Sequence, residues 1–229
     1  MCKGAKNVFA RALLIIPETA VNEMIRPEFF ERKDLTAAQK CFLEFLRAFA
    51  FTLESAAAAF DNDLPAAALQ SARRADVIDE LAESAAANAV VKRGPETKQF
   101  FKALVLARRA AAVLRSLCTA GASEFEGLEE SRVFLGSLCR CAADRLDWSH
   151  KRQLLGSRYQ GAAEDDLEIT FSELPASMAA ERRVERAQAL IDFHDALIAA
   201  RGMFDVVREI DSFSSELFPV EDEKYWRKG

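Results

Sequence analysis

LPAAALQSARRADVIDELAESAAANAVV, the stretch from Leu64 to Val91, carries the strongest architectural signal in this chain. Alanine recurs throughout it, β-branched residues are sparse and no glycine interrupts it. Alanine costs least in a helix, and its short side chain lets two helix axes approach closely. The stretch therefore reads as the middle of a long-helix bundle. It carries one acidic cluster, Asp76, Asp79, Glu80 and Glu83. The steps i, i+3 and i+7 set Asp76, Asp79 and Glu83 along one side of the helix.

Upstream, Thr36-x-x-Gln39 has the form of a capping box, in which each side chain satisfies the other's backbone donor. Leu35, Phe42, Phe45, Leu46, Phe49, Leu53 and Phe60 follow mostly at three- and four-residue steps, which makes one apolar stripe. Asp61-Asn62-Asp63 stops that helix, and Pro65 suits the first turn of the next. Downstream, Lys92-Arg93 and then Gly94-Pro95 close the second helix. A third is expected over Glu96 to Ala120, with Phe100, Phe101, Leu104, Leu106, Val113, Leu114 and Leu117 as core candidates. A fourth spans about Ser131 to Leu155. Between residues 156 and 174 the pattern is undecided, since LEITF is short enough for strand or helix. From Pro175 to Leu217 it is helical again, with Gly202 the natural place for a break or kink.

The expected fold class is all-α: an antiparallel helical bundle of two tandem three-helix units. Its parts are an N-terminal helical segment (1–34), a first bundle (35–121), a second bundle (122–218) and a charged tail (219–229). The expected core includes Phe42, Phe45, Phe49, Leu53, Ile78, Leu81, Leu104 and Leu117.

Composition narrows the function classes. The net charge of −5 and pI near 5.3 argue against nucleic acid as a partner, because such proteins present a basic face. Cys2, Cys41, Cys118, Cys139 and Cys141 have no framework spacing and read as reduced thiols in a cytoplasmic setting. On a helix, Cys139 and Cys141 point about 200° apart and do not chelate one ion. The longest apolar run, Ala12 to Ile16, is far short of the roughly 20 residues a bilayer requires. MCKGAKNVFARALLII is expected to be a short amphipathic helix docked on the domain, with a membrane-surface contact as the alternative.

A search for chemistry finds fragments. Asp147-x-x-His150 puts a carboxylate and an imidazole on one helical face, half of a carboxylate-histidine metal site. His194 has Ile191 three residues earlier, so no second copy exists, and its neighbours Asp192 and Asp195 mark a solvated or locally bonded side chain. Nucleophile motifs, glycine-rich phosphate loops and Cys-x-x-Cys pairs are absent from the sequence. The ridge Asp76, Asp79, Glu83 has two readings: a solvated acidic face, or a ridge of oxygens for a hard divalent cation.

Asp76-Val77-Ile78-Asp79-Glu80-Leu81 and Arg208-Glu209-Ile210-Asp211 give the chain a resemblance to the PhoU family, and more particularly to the PhoU-like domain of sodium/phosphate cotransporters. Leu13-Leu14-Ile15-Ile16-Pro17 is similar to the segment through which transporter chains enter that domain. The resemblance implies tandem three-helix bundles and a part in phosphate transport or its regulation. It also implies divalent-metal ligation through acidic motifs, which here means Asp76, Asp79, Glu83 and Asp211. The chain departs from the pattern at Ala75, where an acidic residue is expected four before Asp79. It departs again at Ala107-Arg108-Arg109-Ala110, which offers no Asp.

The functional expectation is a non-enzymatic protein, regulatory or accessory to phosphate transport or its signalling, with a transporter or signalling component as protein partner. Such a protein would be cytoplasmic, or peripheral to the inner membrane face, and a homodimer is a further expected form. The alternatives are an interaction scaffold unrelated to phosphate and, last, a carboxylate-rich metalloprotein. The expected contact surfaces are Val8 to Ile16 and the final helix around Phe193, Met203 and Phe204.

Overall fold

The structure, a computed structural model, describes residues 35–87, 95–122, 129–155 and 187–218. These are 95% helical and contain no strand. Five helices form: α1 (Ala37–Asp61), α2 (Pro65–Ala87), α3 (Pro95–Gly121), α4 (Glu129–Leu155) and α5 (Ala187–Leu217).

Local chemistry sets the boundaries. The capping box at α1 is complete: the Gln39 amide donates to Thr36 Oγ1 at 3.2 Å, and the Thr36 amide donates to Gln39 Oε1 at 2.9 Å. Gln39 Nε2 also donates to the Leu217 carbonyl at 2.9 Å, which ties the start of α1 to the end of α5. Asn62 caps the other end of α1. Asp63 then turns the chain at φ 53°, a left-handed conformation that aspartate tolerates better than most residues, and Pro65 opens α2.

Ion pairs between helices reveal their directions. Asp76 meets Arg115 and Asp79 meets Arg108, so α2 and α3 are antiparallel. Lys102 meets Glu216 and Arg109 meets Glu209, so α3 and α5 are antiparallel too. The pairs Arg145–Asp211 and Ser149–Ser214 advance together, which makes α4 and α5 parallel. α1 packs on α4, α4 on α5, α5 on α3 and α3 on α1, so these four close a ring. α2 lies outside it, in the groove between α1 and α3.

One apolar core runs through all five helices. Phe42, Phe45, Phe49, Leu53, Ile78, Leu104 and Leu117 are buried as expected, while Leu81 is only half-buried on the flank of α2. Phe42 meets Phe213 edge-on at 5.1 Å, a geometry aromatic pairs prefer. At Gly136 α4 lies close against α1: a Cβ there would stand 3.2 Å from the Ala57 carbonyl and run into the Asp61 carboxylate.

Two expectations are corrected. Phe193, Met203 and Phe204 are not an exposed contact surface but are fully buried, since their spacing points them into the ring. The exposed aliphatics of α5 are Ile191 and Ile198 instead. Gly202 does not break the last helix, which continues through it because Met203 and Phe204 anchor the next turn in the core. A Cβ on Gly202 would meet only the Val113 side chain, at an ordinary 3.6 Å. Gly202→Ala should therefore raise the unfolding free energy by about 0.5–1 kcal/mol in urea denaturation. The N-terminal segment, the close of the second helix at Lys92-Arg93, the LEITF stretch and the charged tail lie outside the described residues. Among the described residues no helix is long and apolar enough to cross a membrane.

Candidate functional site

The acidic ridge of α2 was the candidate for cation ligation, and the antiparallel packing of α3 determines what it faces. Arg108 and Arg115 lie seven residues apart on α3 and therefore share one side of it. Arg108 Nε donates to Asp79 Oδ1 at 2.6 Å, and its Nη2 stands 3.9 Å from Glu83 Oε2. Arg115 Nη1 donates to Asp76 Oδ1 at 2.6 Å. The hydrogen bond that Arg108 donates to Asp79, followed by that carboxylate's charge, holds the guanidinium still more firmly protonated. Each of the three carboxylates thus has a guanidinium partner across the helix interface.

Asp211 is on the other side of the ring. Arg145 Nε on α4 donates to its Oδ2 at 2.6 Å, and both side chains are about one-fifth exposed. The Arg145 guanidinium also lies 4.9 Å from the Trp148 ring centre, and Arg152 approaches the same ring at 5.0 Å. One turn further along, the buried hydroxyls of Ser149 and Ser214 stand 3.4 Å apart. Asp211 therefore belongs to a polar seam between the parallel helices α4 and α5, and the fold does not bring it to Asp76, Asp79 and Glu83. No group of three or more His, Cys, Asp or Glu with a ligating arrangement occurs among the described residues.

Asp147 and His150 share α4 as the sequence suggests. Asp147 is engaged by Lys151 of its own helix. Burial pushes the His150 imidazole down to about 4; Asp147 opposes this, while Arg47 across the α1–α4 interface and Lys151 reinforce it. At neutral pH it is therefore an uncharged side chain. Burial, then Asp147 and Asp144, push the nearby Glu54 carboxyl up. His194 is exposed, with Nδ1 3.8 Å from Asp195. Cys118 and Cys139 are buried free thiols; burial raises Cys118 to about 12 and Cys139 well above its ordinary value, so neither is a ready nucleophile.

The residues that sequence reasoning missed are Arg108, Arg115 and Arg145. Their signal was present: once α2 and α3 are antiparallel neighbours, residues seven apart on one face must meet the acidic face of the other. Asp79→Asn should lower the melting temperature slightly in dilute buffer. That difference should vanish near 1 M KCl, since salt screens exposed pairs. A loss unaffected by salt would assign Asp79 a different role.

No family model, no curated protein and no solved structure matches this chain.

Proposed function

We propose that this chain is a non-enzymatic helical protein that works by contact, as a PhoU-like accessory or regulatory partner of a phosphate transporter or of its signalling machinery. On this reading residues 35–121 and 122–218 are tandem units that share one core, and the protein works beside the membrane without entering it. The observation that carries the reading is the engagement of the carboxylates. Asp76, Asp79, Glu83 and Asp211 each face an arginine of a neighbouring helix, and this engagement in helix packing supports the reading. The phosphate part rests on the sequence resemblance alone.

Uptake of radiolabelled phosphate tests that part. Cells lacking the chain should take up phosphate at a changed rate, and supplying the intact chain should restore it. Unchanged uptake would remove phosphate from the reading.

A scaffold unrelated to phosphate is favoured by one specific feature. Ile191 and Ile198, seven residues apart on α5, are each more than half exposed on one face. If that face is a docking surface, replacing both by glutamate should abolish association with the partner without loss of helicity.

A further inference from the structure

Helix α2 is held differently from every other helix in the bundle. Its buried face is Ala68, Ser71, Ala72, Ala75, Ile78, Ala82 and Ala85, so only Ile78 is a large apolar residue. By contrast, α1 buries Phe42, Phe45, Leu46, Phe49, Leu53 and Phe60, and α5 buries Phe193, Met203, Phe204, Ile210 and Phe213. Burial scales with apolar area, so an alanine face anchors a helix far less than a row of phenylalanines. The ring of α1, α4, α5 and α3 is closed by direct packing between its own members, and none of those four contacts runs through α2.

What α2 lacks in apolar anchors it replaces with charge. Asp76 pairs with Arg115, and Asp79 and Glu83 pair with Arg108. On the α1 side, Arg74 Nη1 donates to Ser55 Oγ at 2.8 Å, and its guanidinium lies 5.4 Å from the Phe51 ring centre. The ion-paired side chains are substantially exposed, with Asp79 the least so, and pairs of this kind weaken as salt rises. Other interfaces carry exposed pairs too, among them Lys102–Glu216 and Arg109–Glu209 between α3 and α5. There, large buried side chains hold the helices whether or not the pairs are screened.

We propose that α2 is a salt-released strap over the α1–α3 groove, able to leave while the four-helix ring stays folded. The strap does not depend on the phosphate reading, and its test has a separate readout. Amide hydrogen exchange of the full chain, followed by mass spectrometry, resolves each helix. Peptides from residues 65–87 should exchange faster than those of α1, α3, α4 and α5 in 50 mM KCl. In 1 M KCl they should exchange about 10-fold faster again while the other helices barely change, as expected for screening three exposed pairs. The double variant Arg108→Gln, Arg115→Gln should show in dilute buffer the exchange that the native chain shows in 1 M KCl, and should no longer respond to salt. Exchange of α2 together with the other helices as one unit, or a loosening of α2 that ignores both salt and the double variant, would overturn the proposal.

Discussion

Replacing Phe45 with alanine should lower the unfolding free energy by about 3–5 kcal/mol, measured by chemical denaturation. The ring is 1% exposed, stacked on Phe49 with centroids 5.8 Å apart, and 6.2 Å from Phe42. Its loss removes apolar burial from the centre of the ring and leaves a cavity where α1 meets its neighbours. Val105→Ala, at a position more than half exposed on α3, should stay within about 0.5 kcal/mol of the native chain. A Phe45→Ala cost under about 1 kcal/mol would mean that the aromatic stripe of α1 is not the core.

The second large effect is a dependence on acid. Burial holds the His150 pKa at about 4, against 6.5 for the free side chain. Between those values the unfolded chain binds a proton that the folded chain refuses, so stability is lost as pH falls from about 6.5 to 4. Relative to His150→Gln, the native chain should lose about 2–3 kcal/mol across that window. Glu44 and Glu54 act in the opposite sense, because burial raises both carboxyl groups and their protonated forms favour the fold. The variant comparison isolates the histidine from them. Parallel pH profiles for the native chain and His150→Gln would show that the imidazole is not held neutral by burial.

Much of the fold was legible because its signals are local. The capping box at Thr36 and Gln39, the stop at Asp61-Asn62-Asp63 and the start at Pro65 each work through neighbouring backbone groups. The stripe from Phe42 to Phe60 likewise declares its buried face by period alone. Ring order was not legible, because nothing in periodicity says that α4 packs on α1 or that α5 runs parallel to α4. For the same reason Phe193, Met203 and Phe204 looked available as a contact surface. Apolar residues on the last helix announce burial without saying what buries them. Gly202 misled because a glycine's helix cost is small beside the anchoring of Met203 and Phe204.

The acidic ridge shows the same limit. Spacing placed Asp76, Asp79 and Glu83 on one side of α2, which is where they are. Whether that side met water, a cation or a cation-bearing side chain depended on the identity of the neighbouring helix. In the fold it is α3, with Arg108 and Arg115 in register. The resemblance that grouped Asp211 with the ridge rested on a motif, whereas the ring puts Asp211 against Arg145 on α4.

Calorimetric titration of the full chain with manganese or magnesium decides whether these carboxylates belong to arginines or to a metal. No saturable binding heat is expected for either ion, and the same flat trace for Asp79→Asn. Tight, saturable binding that Asp79→Asn abolishes would contradict it and return the ridge to cation chemistry.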